Sequence, residues 1–367
     1  MIEYIEIEGY KSIRNMQLEM RPINILIGSN GVGKSNFISF FKLINAIFNQ
    51  RLQRYVIEEK ADNILYFGRK TTEELFGKII FKSNPNDNNA YHFTLAQTKE
   101  GGLYLLEEAS GYNVHRANNV LNYYSESNLE ESKRAVLNSF RDNYLRKYIT
   151  NLHVFHFHDT SATSFLRRQC DISDNLYLKQ DGRNLPAFLY LLKVNHPKIF
   201  RRIEKTVQSV APYIINLILE PNRLNTNEIE LRWTDKGDPD SNFSAFQFSD
   251  GTLRFIALAT LLMQPTPPDV IVIDEPELGL HPFAIGKLAA MIQAVSNTSQ
   301  VIAATQSPGL INHFSPEDIL VMDKSDEENQ TIIKRLDPVA LKVWLEDFTL
   351  GDLWERNIIN AAQPFNK

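Results

Sequence analysis

The chain has 367 residues, of which 43% are hydrophobic and 23% charged. That composition excludes a wholly disordered or collagen-like polymer and fits one large α/β domain with an insertion, or two domains. The net charge of −5 gives no global support to nucleic-acid binding, and the single cysteine, Cys170, excludes an intramolecular disulfide or a Cys-rich zinc site. The apolar run from Ile256 to Met263 is far short of the roughly 20 residues that cross a bilayer. The acidic opening MIEYIEIEGYKS lacks the basic and apolar regions of a signal peptide. A cytoplasmic protein without a membrane partner is expected, and one cysteine suits a reducing compartment.

Three zones follow along the chain. In residues 1–95, IEYIEIEGY and INILIG read as strands, and FISFFKLINAIF (37–48) as a helix buried on most of its surface. GKIIFKS and AYHFTLAQ form a β-meander through the turn-rich SNPNDNN. Residues 96–240 read as an inserted, mostly helical lid. ESNLEESKRAVLNSFRDNYLRKY has a helical pattern, and LPAFLYLLKVNHPKIFRRIEKTVQSV a helical pair broken near Asn195-His196-Pro197. Residues 141–205 hold 12 Lys/Arg against 6 Asp/Glu. They are either solvated helix faces or a phosphate-backbone contact surface. Residues 241–367 return to alternating helices and buried strands: FSDGTLRFIALATLLM, DVIVIDEP, KLAAMIQAV and QVIAATQS. Helices joining β-branched strands imply a largely parallel sheet with right-handed crossovers.

Two motifs carry chemistry on their own. Gly28-Ser29-Asn30-Gly31-Val32-Gly33-Lys34-Ser35 fits G-x-x-x-x-G-K-[ST] between a strand and a helix. Glycines 28, 31 and 33 let backbone amides turn inward around a phosphate, and the helix start adds partial positive charge. Lys34 reaches the β/γ-phosphates and the Ser35 hydroxyl ligates Mg²⁺. Gly28, Asn30, Gly31, Val32, Gly33, Lys34, Ser35 and Asn36 are therefore the nucleotide-binding candidates. In the second motif, the strand Val270–Ile273 delivers Asp274 and Glu275 at its C-terminal end, where open α/β sheets bind ligands. Asp274 is the candidate Mg²⁺ ligand and Glu275 the residue that polarises the attacking water.

IEIEGYKSIRN, the glycine-rich loop, SDGTLRF, DEPELGLHP and the tail DFTLGDLWERN together resemble the SMC/RecF/OLD-like branch of ABC ATPases, the stand-alone bacterial kind. The resemblance frames nearly the whole chain, with residues 80–240 matched loosely. It implies an α/β, ABC-type P-loop head that dimerises around two ATP molecules, as a homodimer or a higher even-numbered oligomer. It also implies that Ser249, Gly251 and Thr252 form a signature that faces the γ-phosphate held by the other subunit. Asp250 stands where that signature usually has a glycine, and an acid there should point away or cap the helix. Ser249 taken alone is a good helix N-cap. His281 occupies the place of the D-loop aspartate of transporters. Gln306 sits where many relatives have a switch histidine; it cannot ionise but can bond a γ-phosphate or water, which suggests slow hydrolysis. Lys11 and Arg14 match an opening in which a basic side chain approaches the phosphates, with a solvated turn as the competing view. After the strand Leu152–Phe157, His158 and Asp159 are Q-loop candidates, Asp159 as a further Mg²⁺ ligand; packing or capping is the alternative.

Relatives of this branch act in DNA repair and anti-phage defence, usually beside a nuclease or toxin. The roughly 60 residues after Gln306, with Asp318, Asp323 and Asp326 as scattered acids, are too few for a Toprim-type nuclease, so a separate effector chain is expected. A DNA-binding clamp and a scaffold or sensor that holds an effector protein are the other readings.

Overall fold

The computed structural model describes residues 1–84, 87–112, 122–134, 140–325 and 328–360; Asp326 lies outside them. In β1 (Ile2–Tyr10), buried Ile5 and Ile7 alternate with more exposed Glu6 and Glu8, the period of a strand with one face in the core. It pairs antiparallel with β2 (Ile13–Glu19) and β4 (Glu74–Asn84). β5 (Asp87–Gln97), β6 (Leu103–Tyr112) and β7 (Asn122–Leu129) extend this sheet, in the order β2-β1-β4-β5-β6-β7.

The meander therefore runs to Leu129, past the expected boundary at 95/96. The helical pattern read into ESNLEESKRAVLNSFRDNYLRKY yields a helix only at α4 (Phe140–Ile149). Its first residues close β7 instead, with Glu126 opposite Glu108 and Leu129 opposite Leu105. Ladder pairing along a sheet edge overrides a local helical preference here. Residues 135–139 of that run lie outside the described residues.

The second sheet is the mixed, mainly parallel core. β3 (Ile23–Ile27), β8 (His153–Phe155), β14 (Val270–Asp274), β15 (Gln300–Thr305), β16 (Ile319–Ser325) and β17 (Gln330–Arg335) lie in the order β17-β16-β3-β15-β14-β8. Only the β16–β17 pairing is antiparallel. α1 (Lys34–Phe48) lies between the two sheets. Its Phe37, Phe40, Phe41, Ile44 and Ile47 share one core with Ile5, Ile7 and Phe93 on one side and Leu26, Val272 and Ile302 on the other. Burial from both sides explains why the helix is apolar nearly all round. The opposite face of the core sheet (Ile25, Ile27, Ile271, Ile273, Val301) packs against α7 (Asp250–Met263) and α8 (Pro282–Val295).

Between β8 and α7 the chain holds α5 (Leu185–Asn195) and α6 (Pro197–Val210), which break at His196 with Pro197 in the first turn of α6. The same zone has a two-stranded pairing of β9 (Cys170–Asp171) with β11 (Glu228–Ile229). It also has the sheet β10 (Ile214–Ile218), β12 (Arg232–Asp235), β13 (Asp238–Ser244). The zone is thus less helical than its sequence suggests, because these short strands gain their stability from non-local pairing that no window of sequence displays. Short helices complete the fold: α2 (Leu52–Glu59), α3 (Ala61–Ile64), α9 (Pro308–Ile311), α10 (Pro338–Leu341), α11 (Trp344–Asp347) and α12 (Leu350–Glu355). No helix among the described residues is long and apolar enough to cross a membrane.

One buried side chain ties the sheets together. Gln300, 1% exposed at the start of β15, accepts from Ile2 N (2.8 Å) and donates to Ile2 O and Arg21 O (2.8 Å each). Gln300→Leu strands the Ile2 amide and carbonyl without partners. A loss of about 2–4 kcal/mol is expected, from roughly 1–3 kcal/mol per unsatisfied buried group, read as a lower urea midpoint.

Candidate functional site

Four parallel strands end in register. Thr305 is paired with Ile27, Ala304 with Asp274, and Ile273 with Phe155. The segments that follow β3, β15, β14 and β8 therefore leave from one line at the C-terminal edge of the sheet. They carry the glycine-rich loop, Gln306, Glu275 and His158.

The loop is braced behind and open in front. At Gly28 a Cβ would lie 2.5 Å from Met322 O. Gly33 caps α1 with φ +113°, and a Cβ there would strike Thr331 Oγ1. At Gly31, φ is +84° and nothing lies within 4 Å of a Cβ position. Thr331 Oγ1 is 2.7 Å from both Val32 O and Ser12 Oγ. Asn36 Nδ2 donates to Ser12 Oγ at 2.7 Å. A hydroxyl has one proton, so the relay that satisfies all four groups runs from Asn36 to Ser12 to Thr331 to the Val32 carbonyl. Val32 is buried behind the loop, while Ser29, Asn30 and Ser35 are exposed. Lys34, 7% exposed, donates through Nζ to Gly28 O and Ser29 O. Burial holds its ammonium below its ordinary pKa against the pull of Glu275, Asp274 and Glu277.

Asp274 ends β14, and burial raises its carboxyl above the usual range; the nearby charge of His158 opposes that rise. Glu275 has a left-handed backbone (φ +39°), an uncommon conformation for a side-chain-bearing residue. Its N–H donates to Ala304 O (2.8 Å), and its Oε1 accepts from Gln306 Nε2 (2.7 Å). Asp159 does not join this group. It is exposed, and its Oδ1 accepts from Ser161 N (3.0 Å) and Ser161 Oγ (2.7 Å), bonds that lower its pKa. The local turn has claimed its carboxylate. Among the described residues, no three His, Cys, Asp or Glu side chains gather as a metal cage.

Ser249 is exposed at the head of α7, where its side chain accepts from Thr252 N (3.2 Å) and lies 2.8 Å from Thr252 Oγ1. Asp250 pairs with Arg167 (2.7 Å). Arg167 is 7% exposed and also donates to Thr160 O, Ala245 O, Phe246 O and Phe248 O. Gly251 is required by close approach, since a Cβ would lie 2.5 Å from Gly279 O. Buried Arg254 donates to Phe157 O and His158 O (2.9 Å each), joining α7 to the end of β8. His281 caps α8, its Nδ1 accepting from Phe283 N.

A cleft of about 980 Å³ opens beside Gly31 and Asn36, lined also by Lys11, Phe67, Arg69, Lys324 and Gln330. Lys11 is ion-paired to Glu59 at 3.4 Å. Arg14 is exposed on β2, and its backbone amide bonds Gln330 Oε1 at 3.2 Å. It is absent from the cleft lining. Sequence reasoning missed Ser12, Thr331, Arg167, Arg254 and Glu277. Only Glu277 had a local signal, as a second acid just beyond the strand that ends in Asp274.

The chain is 20% identical over 381 residues to the OLD nuclease of Thermus scotoductus (strain ATCC 700910 / SA-01), covering 96% of this chain and 68% of that protein. Its fold is similar to an SMC head bound to the C-winged helix domain of ScpA (TM-score 0.59, 15% identity, 92% of this chain and 98% of that one). It is also similar to an Smc head with an extended coiled coil bound to the C-terminal domain of ScpA, derived from Pyrococcus furiosus (TM-score 0.56, 13% identity, 94% and 98%). At such identities the structural likeness shows the fold alone. The sequence family described as "AAA domain, putative AbiEii toxin, Type IV TA system" matches residues 23–312, a span from β3 to just past α9. The chain belongs to this AAA-domain family and is an SMC/OLD-like ABC ATPase in fold.

Proposed function

We propose that this chain is an ATP-hydrolysing switch, converting ATP and water to ADP and phosphate, in which two copies close around two ATP molecules. The observation that carries this reading is the hydrogen bond from Gln306 Nε2 to Glu275 Oε1, made on the same sheet edge as the glycine-rich loop. It fixes one carboxylate oxygen and leaves the other for the proton of an attacking water.

The residues present fit the nucleotide. The open side of Gly31 admits phosphate against backbone amides. The Gly28 and Ser29 carbonyls that now hold Lys34 are weaker partners for an ammonium than phosphate oxygens. The neighbouring cleft, with Phe67 56% exposed, suits the base and ribose. Ser35 and Asp274 would hold Mg²⁺, which supplies neutralisation of phosphate charge; such sites need only one or two protein ligands beside phosphate and water. Glu275 takes the water proton as the water oxygen bonds to the γ-phosphorus and the bond to the ADP oxygen breaks.

Closure by a second copy is supported by the exposed Ser249 at the start of a 14-residue helix and by Phe246, Leu278 and Phe283, half-exposed on the elements that flank it. Large apolar side chains collected around a polar motif mark association surfaces. The resemblance to defence and repair ATPases supports a separate effector, a nuclease or toxin, that responds to the switch.

A second reading, DNA binding, is favoured by α6. Lys198, Arg201, Arg202 and Lys205 fall at helical spacing on its exposed side, opposite buried Phe200, Ile203 and Val207. None of the four makes an ion pair among the described residues, and Glu204, the only acid of α6, accepts from Leu217 N. Such a stripe fits a phosphate backbone.

Lys34→Ala is expected to weaken ATP binding by about 100-fold or more, since Lys34 reaches the phosphates, measured with a fluorescent ATP analogue. Unchanged affinity removes the glycine-rich loop from the scheme. Glu275→Gln is expected to keep ATP binding, to cut phosphate release by about 10²–10⁴-fold as for loss of a general base, and to hold a long-lived dimer in light scattering. Turnover at the parental rate rejects the assigned base. Arg201→Glu/Arg202→Glu is expected to abolish salt-sensitive binding to duplex DNA while leaving ATP turnover in the absence of DNA unchanged; equal DNA affinity in parent and variant sinks the second reading.

A further inference from the structure

Glu277 lies two residues beyond Glu275 in the turn after β14. It is 9% exposed. Its Oε1 accepts from Thr305 Oγ1 at 2.5 Å and from Gln306 N at 3.3 Å. Thr305 is fully buried, and its hydroxyl oxygen in turn accepts from Ser307 N at 3.0 Å. These bonds set every direction in the chain. The Ser307 amide donates to Thr305, so the single Thr305 proton goes to Glu277, and the Gln306 amide goes there as well.

A buried carboxylate is costly to keep. This one meets no cation within ion-pair distance among the described residues, and its Oε2 has no hydrogen-bond partner there. An apolar side chain of similar size would remove that cost. What the carboxylate achieves is to clamp Thr305, Gln306 and Ser307, the three residues that turn the chain out of β15. Gln306 is the residue whose side chain reaches Glu275.

We propose that Glu277 is a positioning residue for hydrolysis. It holds the main chain at Thr305–Ser307 so that the Gln306 amide stays on Glu275 Oε1 and the other Glu275 oxygen remains directed at the water. The proposal rests on the ATPase reading above, but the contact it describes is made entirely between the protein's own side chains and main chain.

The test uses the full chain and two readouts. In steady-state ATP turnover, Glu277→Ala is expected to lower kcat by about tenfold or more with the ATP KM within about twofold, the pattern of a lost transition-state interaction. Glu277→Gln, whose carbonyl oxygen still accepts both bonds, is expected to recover most of that loss. In a Gln306→Ala background, Glu277→Ala is expected to add less than about twofold, because residues that act as one unit are non-additive. The second readout is the Gln306 side-chain amide in a ¹⁵N spectrum, identified by its disappearance in Gln306→Ala. Glu277→Ala is expected to move it to the position of free glutamine amides. If Glu277→Ala fails to fold, Thr305→Val removes the hydroxyl link of the clamp from its other end, leaving the Gln306 amide bond, and is expected to shift kcat and the amide resonance in the same directions. Parental kcat in the variant, a loss that multiplies onto that of Gln306→Ala, or an unmoved amide resonance overturns the proposal. A parent without ATP turnover overturns the ATPase reading instead, and the amide resonance still decides whether Glu277 positions Gln306.

Discussion

The parallel register of β3, β15 and β14 is the constraint on which the site depends. Residues far apart in the chain, Ile27, Thr305 and Asp274, become the ends of neighbouring strands. The glycine-rich loop, Gln306 and Glu275 then leave the sheet within two residues of those ends. A one-residue slip of β14 would exchange the faces of Ile271, Val272 and Ile273. It would bury the wrong side chains under α7 and α1 and carry Asp274 away from the loop. Two separate hydrophobic cores, one on each face of the sheet, oppose that slip. Packing energy far from the site is in this way converted into the precision of the site.

The same edge concentrates buried charge. Lys34, Arg254, Glu277 and Arg167 are all less than a tenth exposed. Each is compensated differently. Lys34 rests on loop carbonyls, Arg254 on the carbonyls that end β8, Arg167 on four carbonyls and Asp250, and Glu277 on a hydroxyl and an amide. Hydrogen bonds from charged groups are roughly twice as strong as neutral ones, so loops that would otherwise fray are fixed. The Asp250–Arg167 pair also accounts for the acid at the head of α7, whose charge is met by the neighbouring guanidinium.

How much of this was legible in the sequence depends on whether the interaction is local. The glycine-rich loop and the paired acids were legible because motif, strand and helix are contiguous, and their dihedral demands are written as glycines. Ser12 and Thr331, which brace the loop, are 319 positions apart, and nothing local distinguishes them from the chain's other hydroxyl residues. β7 was misread because its residues gain a ladder partner that a helical window does not contain. Asp159 was placed near the metal by analogy, whereas Ser161, two residues on, offers its carboxylate a closer pair of donors. Gln306 was legible as a polar residue just past a buried strand. Its bond to Glu275 was not, since it requires β15 to lie beside β14.

These contacts also define what must move together. Gly251 at the head of α7 abuts Gly279 O. The turn containing Gly279 is closed by bonds from Leu278 N to Glu275 O (3.3 Å) and from Leu280 N to Glu277 O (2.9 Å). A force on Ser249 is therefore transmitted through Gly251 to Gly279, and from there to the turn that carries both Glu275 and Glu277. In the closed pair proposed above, Ser249 is where the twin's nucleotide would press. The left-handed backbone of Glu275 costs energy in any state, and the tight turn retains it, so the main chain that carries this carboxylate is held in one conformation. In that proposed pair, docking of a second copy would act on a carboxylate already aligned, through van der Waals contact and backbone hydrogen bonds and without a long-range signal.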